Sequence, residues 1–276
     1  MQNHFNLKRA ILLSSKHLKE SGKSYLLMLI AGLGIIFLAY GILLISSLHS
    51  MFPSGDRKML FVSGLLLGGT IFAASFYGFF KSEAKSIQFL LLPATTGEKL
   101  LNSFVLTQFI YLLIYLIGFI SIDFLMCSIY NEFVSIPEWI MAKEKHYYKA
   151  DSILNSEIKN IFSDLIIWYF IGTSIAHFGS ISFIQNAYVK TAIIFVIVFI
   201  GILFANNELL KLIIPEEVMA HGKYFPDSFR LGPAKQPTGV VSLPEHWFNF
   251  IAWFLPIFIY LSFWTMSYFK LKEKQI

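Results

Sequence analysis

Four side chains set among apolar residues could serve proton transfer, nucleophilic attack or polar binding: Asp123, Cys127, Asp164 and His177. An enzyme working inside a membrane needs a nucleophile beside its base, or two paired acids. The spacing of these four offers neither. Cys127 is the single cysteine and makes no internal disulfide, and the seven histidines never pair at a metal-ligand spacing. No catalytic residue, metal site or cofactor site is therefore expected in this chain. Thr173, His177 and Ser180 recur at i, i+4 and i+7 and share one helix face. They either line a polar path or join helices through hydrogen bonds between small residues. Asp123 and Asp164 stand at the ends of apolar stretches. Acids there are candidates for a substrate path, or else an interfacial acid and a helix N-cap respectively.

The run Ser21-Gly22-Lys23-Ser24 invites comparison with a phosphate-binding loop. That loop needs a further glycine five residues before the Gly-Lys pair, between a strand and a helix. Position 17 is His17, and a polar turn ahead of an apolar run is the expectation instead. The segment from Lys81 to Lys99 carries more information. Its ends are charged and its middle is apolar (Ile87, Phe89, Leu90); Pro93 then breaks whatever helix precedes it. Thr95 and Glu98 have the spacing of a capping box that starts the next helix.

The elements that must position these residues are set by composition. Of 276 residues, 56% are hydrophobic and only 14% charged, and mean hydropathy is +0.63. A soluble domain carries about 25% charge, and disorder is incompatible with 29 Phe, 13 Tyr and 5 Trp. The expectation is an all-α membrane protein with six transmembrane helices, at residues 25–45, 59–80, 104–126, 165–184, 191–205 and 247–269. A span needs about 20 apolar residues. The fifth, bounded by Lys190 and by Asn206-Asn207-Glu208, is short and requires snorkelling or local thinning. With the N-terminus inside, twelve of the 22 basic residues but only four of the 17 acids fall on the inner side. That bias predicts that both termini are cytoplasmic. The polar stretch before the first span is too long for a cleavable signal peptide.

Residues 1–24 read as an amphipathic interface helix, with Leu7, Ile11 and Leu18 on one face and Lys8, Lys16, Lys19 and Lys23 on the other. Such a helix lies in the headgroup plane, drawn to anionic lipid, or simply anchors topology. A single transmembrane domain covers 25–269, and 270–276 is a cytoplasmic tail. Residues 130–160 and 207–245 are outer loops, the second expected as a short helix at Leu209–Ile214 followed by an irregular Pro- and Gly-rich cap. Gly64 and Gly68 predict close helix contact in span two. Trp247, Trp253 and Trp264 read as interfacial and lipid-facing bulk.

The order of an apolar run, Leu92-Pro93, small polar residues, Glu98-Lys99 and a long span resembles the loop after span two in membrane subunits of ABC type-2 transporters. The six-span layout with an amphipathic N-terminal helix is similar to that family in outline. The resemblance implies a permease subunit of an ABC-type exporter in the cytoplasmic (inner) membrane, not itself an enzyme. Its implied partners are an ATP-binding-cassette ATPase subunit and a second permease subunit, as homodimer or related chain. ATP and magnesium would be held by the ATPase, and no nucleic acid is involved. Lys85, Ile87, Phe89, Leu90, Pro93 and Glu98 would form the coupling segment. Alternatives on the residues alone are a secondary transporter or a non-transporting assembly or sensor subunit.

Overall fold

The computed structural model describes residues 5–47, 52–133, 150–153, 158–213, 228–231, 239–242 and 245–275. The loop predicted at 130–160 and the Pro/Gly-rich cap lie largely outside these residues. Helices dominate: α1 (Leu7–Ser46), α2 (Ser54–Ser75), α3 (Glu83–Leu90), α4 (Thr96–Phe104), α5 (Tyr111–Phe133), α6 (Ile158–Ser182), α7 (Ala187–Ile213) and α8 (Glu245–Glu273). Five of the helical stretches are long and apolar enough to cross a membrane: Leu7–Ser46, Ser54–Ser75, Thr96–Phe133, Asp164–Ser182 and Trp253–Glu273. The protein is a helical membrane protein.

Several boundaries differ from the sequence expectation. Residues 7–24, expected as an interface helix, are helical and continue into the first span without a break, in one helix of 40 residues. At 1.5 Å per residue it is about 60 Å long, roughly twice the hydrocarbon thickness. The polar turn at Ser21–Ser24 is likewise helix. Asn6 caps the start of α1 by accepting from the Lys8 N–H. Span two stops at Ser75, and a 3-10 turn at Gly78–Lys81 carries the chain into α3. α4 and α5 are joined through a π-helical segment, Val105–Ile110, so helical backbone runs from Thr96 to Phe133. α6 starts at Ile158, two turns earlier than expected, so Asp164 is an exposed residue within the helix and not its cap.

Two compact units divide the chain. The larger contains residues 1–188 and 263–276. Its core is aromatic, built from Tyr40, Phe61, Phe72, Tyr111, Tyr115, Phe119 and Tyr169 with Leu65 and Leu165. Aromatic pairs at offset or edge-on angles add attraction beyond their area; Phe61 and Phe119 meet edge-on at 4.8 Å. Glycine makes room for these rings. A Cβ at Gly64 would stand 2.5 Å from the Tyr115 hydroxyl, and one at Gly68 would strike that of Tyr111. The close approach predicted at Gly64 and Gly68 is thus between backbone and tyrosine. Exposed Leu26, Leu27, Ile30, Leu38 and Ile42 give α1 an apolar outer side suited to lipid.

The second unit, residues 189–262, holds most of α7, the first part of α8 and a small antiparallel sheet. β1 (Ser228–Leu231) pairs with β2 (Gly239–Ser242), Phe229 opposite Val241. This pairing differs from the irregular cap expected there, within a fold that is otherwise helical as expected. The apolar patch expected as a separate short helix is instead the end of α7, which continues through Asn206 to Ile213. Phe250, Phe254 and Phe258 stack at i, i+4 intervals along α8, and Pro256 is tolerated inside that helix.

Candidate functional site

Two buried carboxylates stand on the helical run from Thr96 to Phe133, Glu98 in its first turn and Asp123 in its second half. At its start, the capping box forms as the spacing predicts: Thr95 Oγ1 accepts from the Glu98 N–H at 3.3 Å, and Glu98 Oε2 accepts from the Thr95 N–H at 2.8 Å. The second oxygen does more. Glu98 Oε1 accepts from the Asn6 backbone N–H at 2.6 Å and from Arg9 Nη2 at 2.8 Å and Nε at 3.2 Å. One carboxylate therefore starts α4 and holds the N-terminus of α1, and it is fully buried. Burial alone would raise its pKa, but the N–H groups of Thr95 and Asn6 together with Arg9 hold it below the usual value.

The neighbouring Lys99 points to the other element. Its Nζ donates to the Leu90 carbonyl at the C-terminal end of α3, at 2.9 Å, and stands 5.2 Å from the Phe89 ring centre. A cation suits that helix end. Burial pushes the Lys99 pKa down to about 8. Adjacent residues Glu98 and Lys99 thus tie α1 and α3 to the first turn of one long helical run.

The expected coupling residues divide by exposure. Ile87 is 57% exposed and Leu91 76%; Lys85, Gln88 and Pro93 are also exposed, and Leu90 is half-buried. Phe89 is corrected: it is only 8% exposed and packs at 4.8 Å on Phe79, in a cluster with Phe76, Tyr77, Phe80 and Leu271. Its ring holds α3 to this chain, leaving Ile87 and Leu91 as the outward apolar residues.

Farther along the run, Asp123 is fully buried. It accepts from Tyr40 Oη at 2.9 Å, Ser152 Oγ at 3.0 Å, the Ile153 N–H at 2.9 Å and Arg57 Nη1 at 3.3 Å. Arg57 is 3% exposed, donates to the Asp151 carbonyl and to Cys127, and lies over the Phe52 ring. This ion pair joins α1, α2, α5 and residues 151–153. The spans expected at 25–45 and 59–80 leave Arg57 between them, and nothing local links it to an acid 66 positions later.

The i, i+4, i+7 stripe of α6 is wholly buried: Thr173 and His177 are 0% and Ser180 2% exposed. Thr173 Oγ1 donates to Gln108 Oε1 at 3.0 Å. The Tyr169 hydroxyl reaches the carbonyls of Thr107 and Gln108 in the π-helical segment at 2.9 and 3.2 Å. This is how neighbouring helices satisfy backbone freed from α-helical pairing. His177 lies 4.5 Å from the Trp264 ring, and Trp264 is buried, not lipid-facing bulk. Asp123 stands apart from this stripe, in the Arg57 network. No group of three His, Cys, Asp or Glu fit to hold a metal occurs among the described residues.

The sequence matches no protein-family model, and no curated protein or solved structure matches it either.

Proposed function

We propose that this chain is the permease half of an ABC-type exporter in the cytoplasmic membrane, driven by a separate ATPase subunit. The observation that carries the reading is the junction at Glu98 and Lys99. A short exposed helix, α3, is tied by Lys99 to the start of span three, where Glu98 also holds α1. A push on α3 from a partner would reach span three and α1 through buried, charge-assisted bonds. Exposed Ile87 and Leu91 with Lys85 are suited to meet such a partner, where a few anchors carry most of the binding energy.

In this reading both termini are cytoplasmic, α7 is the remaining span, and two permease chains form the path. At 27 residues, α7 is about 40 Å long, more than enough to cross. ATP and magnesium belong to the ATPase. The test is purification of the tagged chain from native membranes. An ATP-binding-cassette subunit should accompany it, with hydrolysis in the complex and none in the isolated chain; hydrolysis by the chain alone contradicts the reading.

The Arg57–Asp123 pair favours a second reading, a secondary transporter, in which buried charges couple to ion movement. It sits at the first turn of α2, away from the midplane where such sites gather. Transport in vesicles that collapses with an ionophore while ATP is supplied would select this alternative.

A further inference from the structure

The outward side of α1 changes character partway along its length. Lys16, Lys19, Lys23, Leu26 and Ile30 follow one another at steps of three and four residues. Such steps keep side chains on one helix face, and Lys8 lies farther up the same row. Leu26 and Ile30 are 56% and 58% exposed, and Lys8, Lys19 and Lys23 are exposed as well. The other side of the helix packs on this chain: Ala10, Leu13 and His17 are buried, and His17 stacks on Phe76 at 4.6 Å. One outward row thus turns from basic to apolar between Lys23 and Leu26.

Solvation cost decides where the membrane surface meets this row. A lysine in hydrocarbon is expensive, whereas exposed Leu26 and Ile30 suit it. The surface therefore meets α1 near Lys23. The headgroup layer on each side of a bilayer is about 5–7 Å deep. Lys23 stands three residues from Leu26, about 4.5 Å along the helix, and Lys19 stands seven residues away, about 10 Å. Lys23 falls at headgroup depth, and Lys19 reaches it with a long flexible stem. Lys8 is eighteen residues from Leu26, about 27 Å along the helix. The field of a charged surface fades over about 8 Å at physiological salt.

Charge balance names the occupant. Lys16 has Glu20 at 3.7 Å, but among the described residues no acid pairs with Lys19 or Lys23. Two uncompensated cations at headgroup depth match a lipid phosphate of net negative charge. A zwitterionic lipid carries no such net charge. We infer that Lys19 and Lys23 form a binding site for the headgroup of an anionic phospholipid, whose acyl chains lie along Leu26 and Ile30. The row runs without a gap from charge to exposed apolar side chains, which favours a lipid over a soluble phosphate that has no use for Leu26. The site is narrower than the general attraction of a basic helix to a membrane, because two of the lysines carry it. It is independent of the exporter reading.

Fluorescence quenching by brominated lipids measures which phospholipid occupies this row. The full chain carries a bimane at Leu26→Cys, with Cys127→Ser to remove the other thiol, in vesicles of phosphatidylcholine and phosphatidylglycerol. Brominated phosphatidylglycerol should compete for the row about fivefold or more better than brominated phosphatidylcholine, the effect of one lysine at a membrane surface. Lys19→Gln combined with Lys23→Gln should abolish the preference, and Lys8→Gln should leave it unchanged. Millimolar glycerol phosphate should not reduce it. Equal quenching by the two lipids overturns the proposal, and so does a preference that persists in the double variant. An equal fall in Lys8→Gln also overturns it, since net charge alone would then set the preference. Loss of the preference to glycerol phosphate overturns it by assigning the lysines to a soluble phosphate.

Discussion

Glu98 and Asp123 are both buried acids met by an arginine, one in the first turn and one in the second half of a single helical run. Their surroundings differ. Glu98 takes two backbone N–H groups and an arginine side chain that is 30% exposed. Asp123 takes two hydroxyls, one N–H and an arginine that is 3% exposed. The first acid is held largely by helix ends, in a place where Arg9 can leave toward water. The second has a sealed partner that nothing can replace. The Glu98 site is thus suited to rearrangement, and the Asp123 site to holding helices together.

The largest effect should come from splitting the sealed pair. Arg57→Ala leaves Asp123 buried without its counter-charge, and such a loss costs about 3–5 kcal/mol; thermal unfolding in detergent should show it. Glu98→Ala removes one half of the capping box and the Arg9 contact, and should cost about 2.5 kcal/mol, from about 1 for a cap and about 1.5 for a charged bond. An equal or larger loss at Glu98 than at Arg57 would reverse the comparison. Gly64→Ala should cost about 1–3 kcal/mol, since its methyl meets the Tyr115 hydroxyl and the Ile36 side chain; a smaller cost of the same change in a Tyr115→Phe background would confirm the clash with the hydroxyl. Arg9→Ala should have the smallest effect, within about 1 kcal/mol, because the arginine is part-exposed and two N–H groups remain on Glu98.

A pH series sharpens the same contrast. The Glu98 pKa is lowered in the folded protein. Its contribution is fully present above the ordinary carboxyl value near 4.5 and is lost as pH falls through the lower folded value. Glu98→Gln should flatten the acid limb of the Tm–pH curve. An unchanged limb would mean that the carboxylate is not the group that titrates.

The sequence made the Glu98 end partly legible because its logic is local. Three residues separate Thr95 from Glu98, and a capping box is a short-range pattern. Arg9 as third partner was hidden, since it depends on how α1 packs on α4. The Asp123 site was illegible for the same reason: Arg57 beside Asp56 and Lys58 looks like a solvated charge run. Gly22 and its polar neighbours suggested a break in α1, yet an isolated glycine costs a helix only about 1 kcal/mol, and packing of Ala10, Leu13 and His17 carries the helix through. Asn206 to Glu208 marked an end for span five on hydropathy alone, whereas backbone helicity continues to Ile213. The π-helical segment has no sequence signature; its carbonyls are satisfied by Tyr169 from a different helix.

The exporter reading places the partner on the outward side of α3, away from Phe89. Photo-crosslinkers introduced singly at Ile87, Leu91 and Phe89, in cells expressing the full chain at native level, test this directly. Crosslinks from Ile87 and Leu91 to an ATP-binding-cassette subunit, with none from Phe89, are the predicted result. Failure of both Ile87 and Leu91 to capture such a subunit in membranes where the chain is folded and transporting would contradict the account.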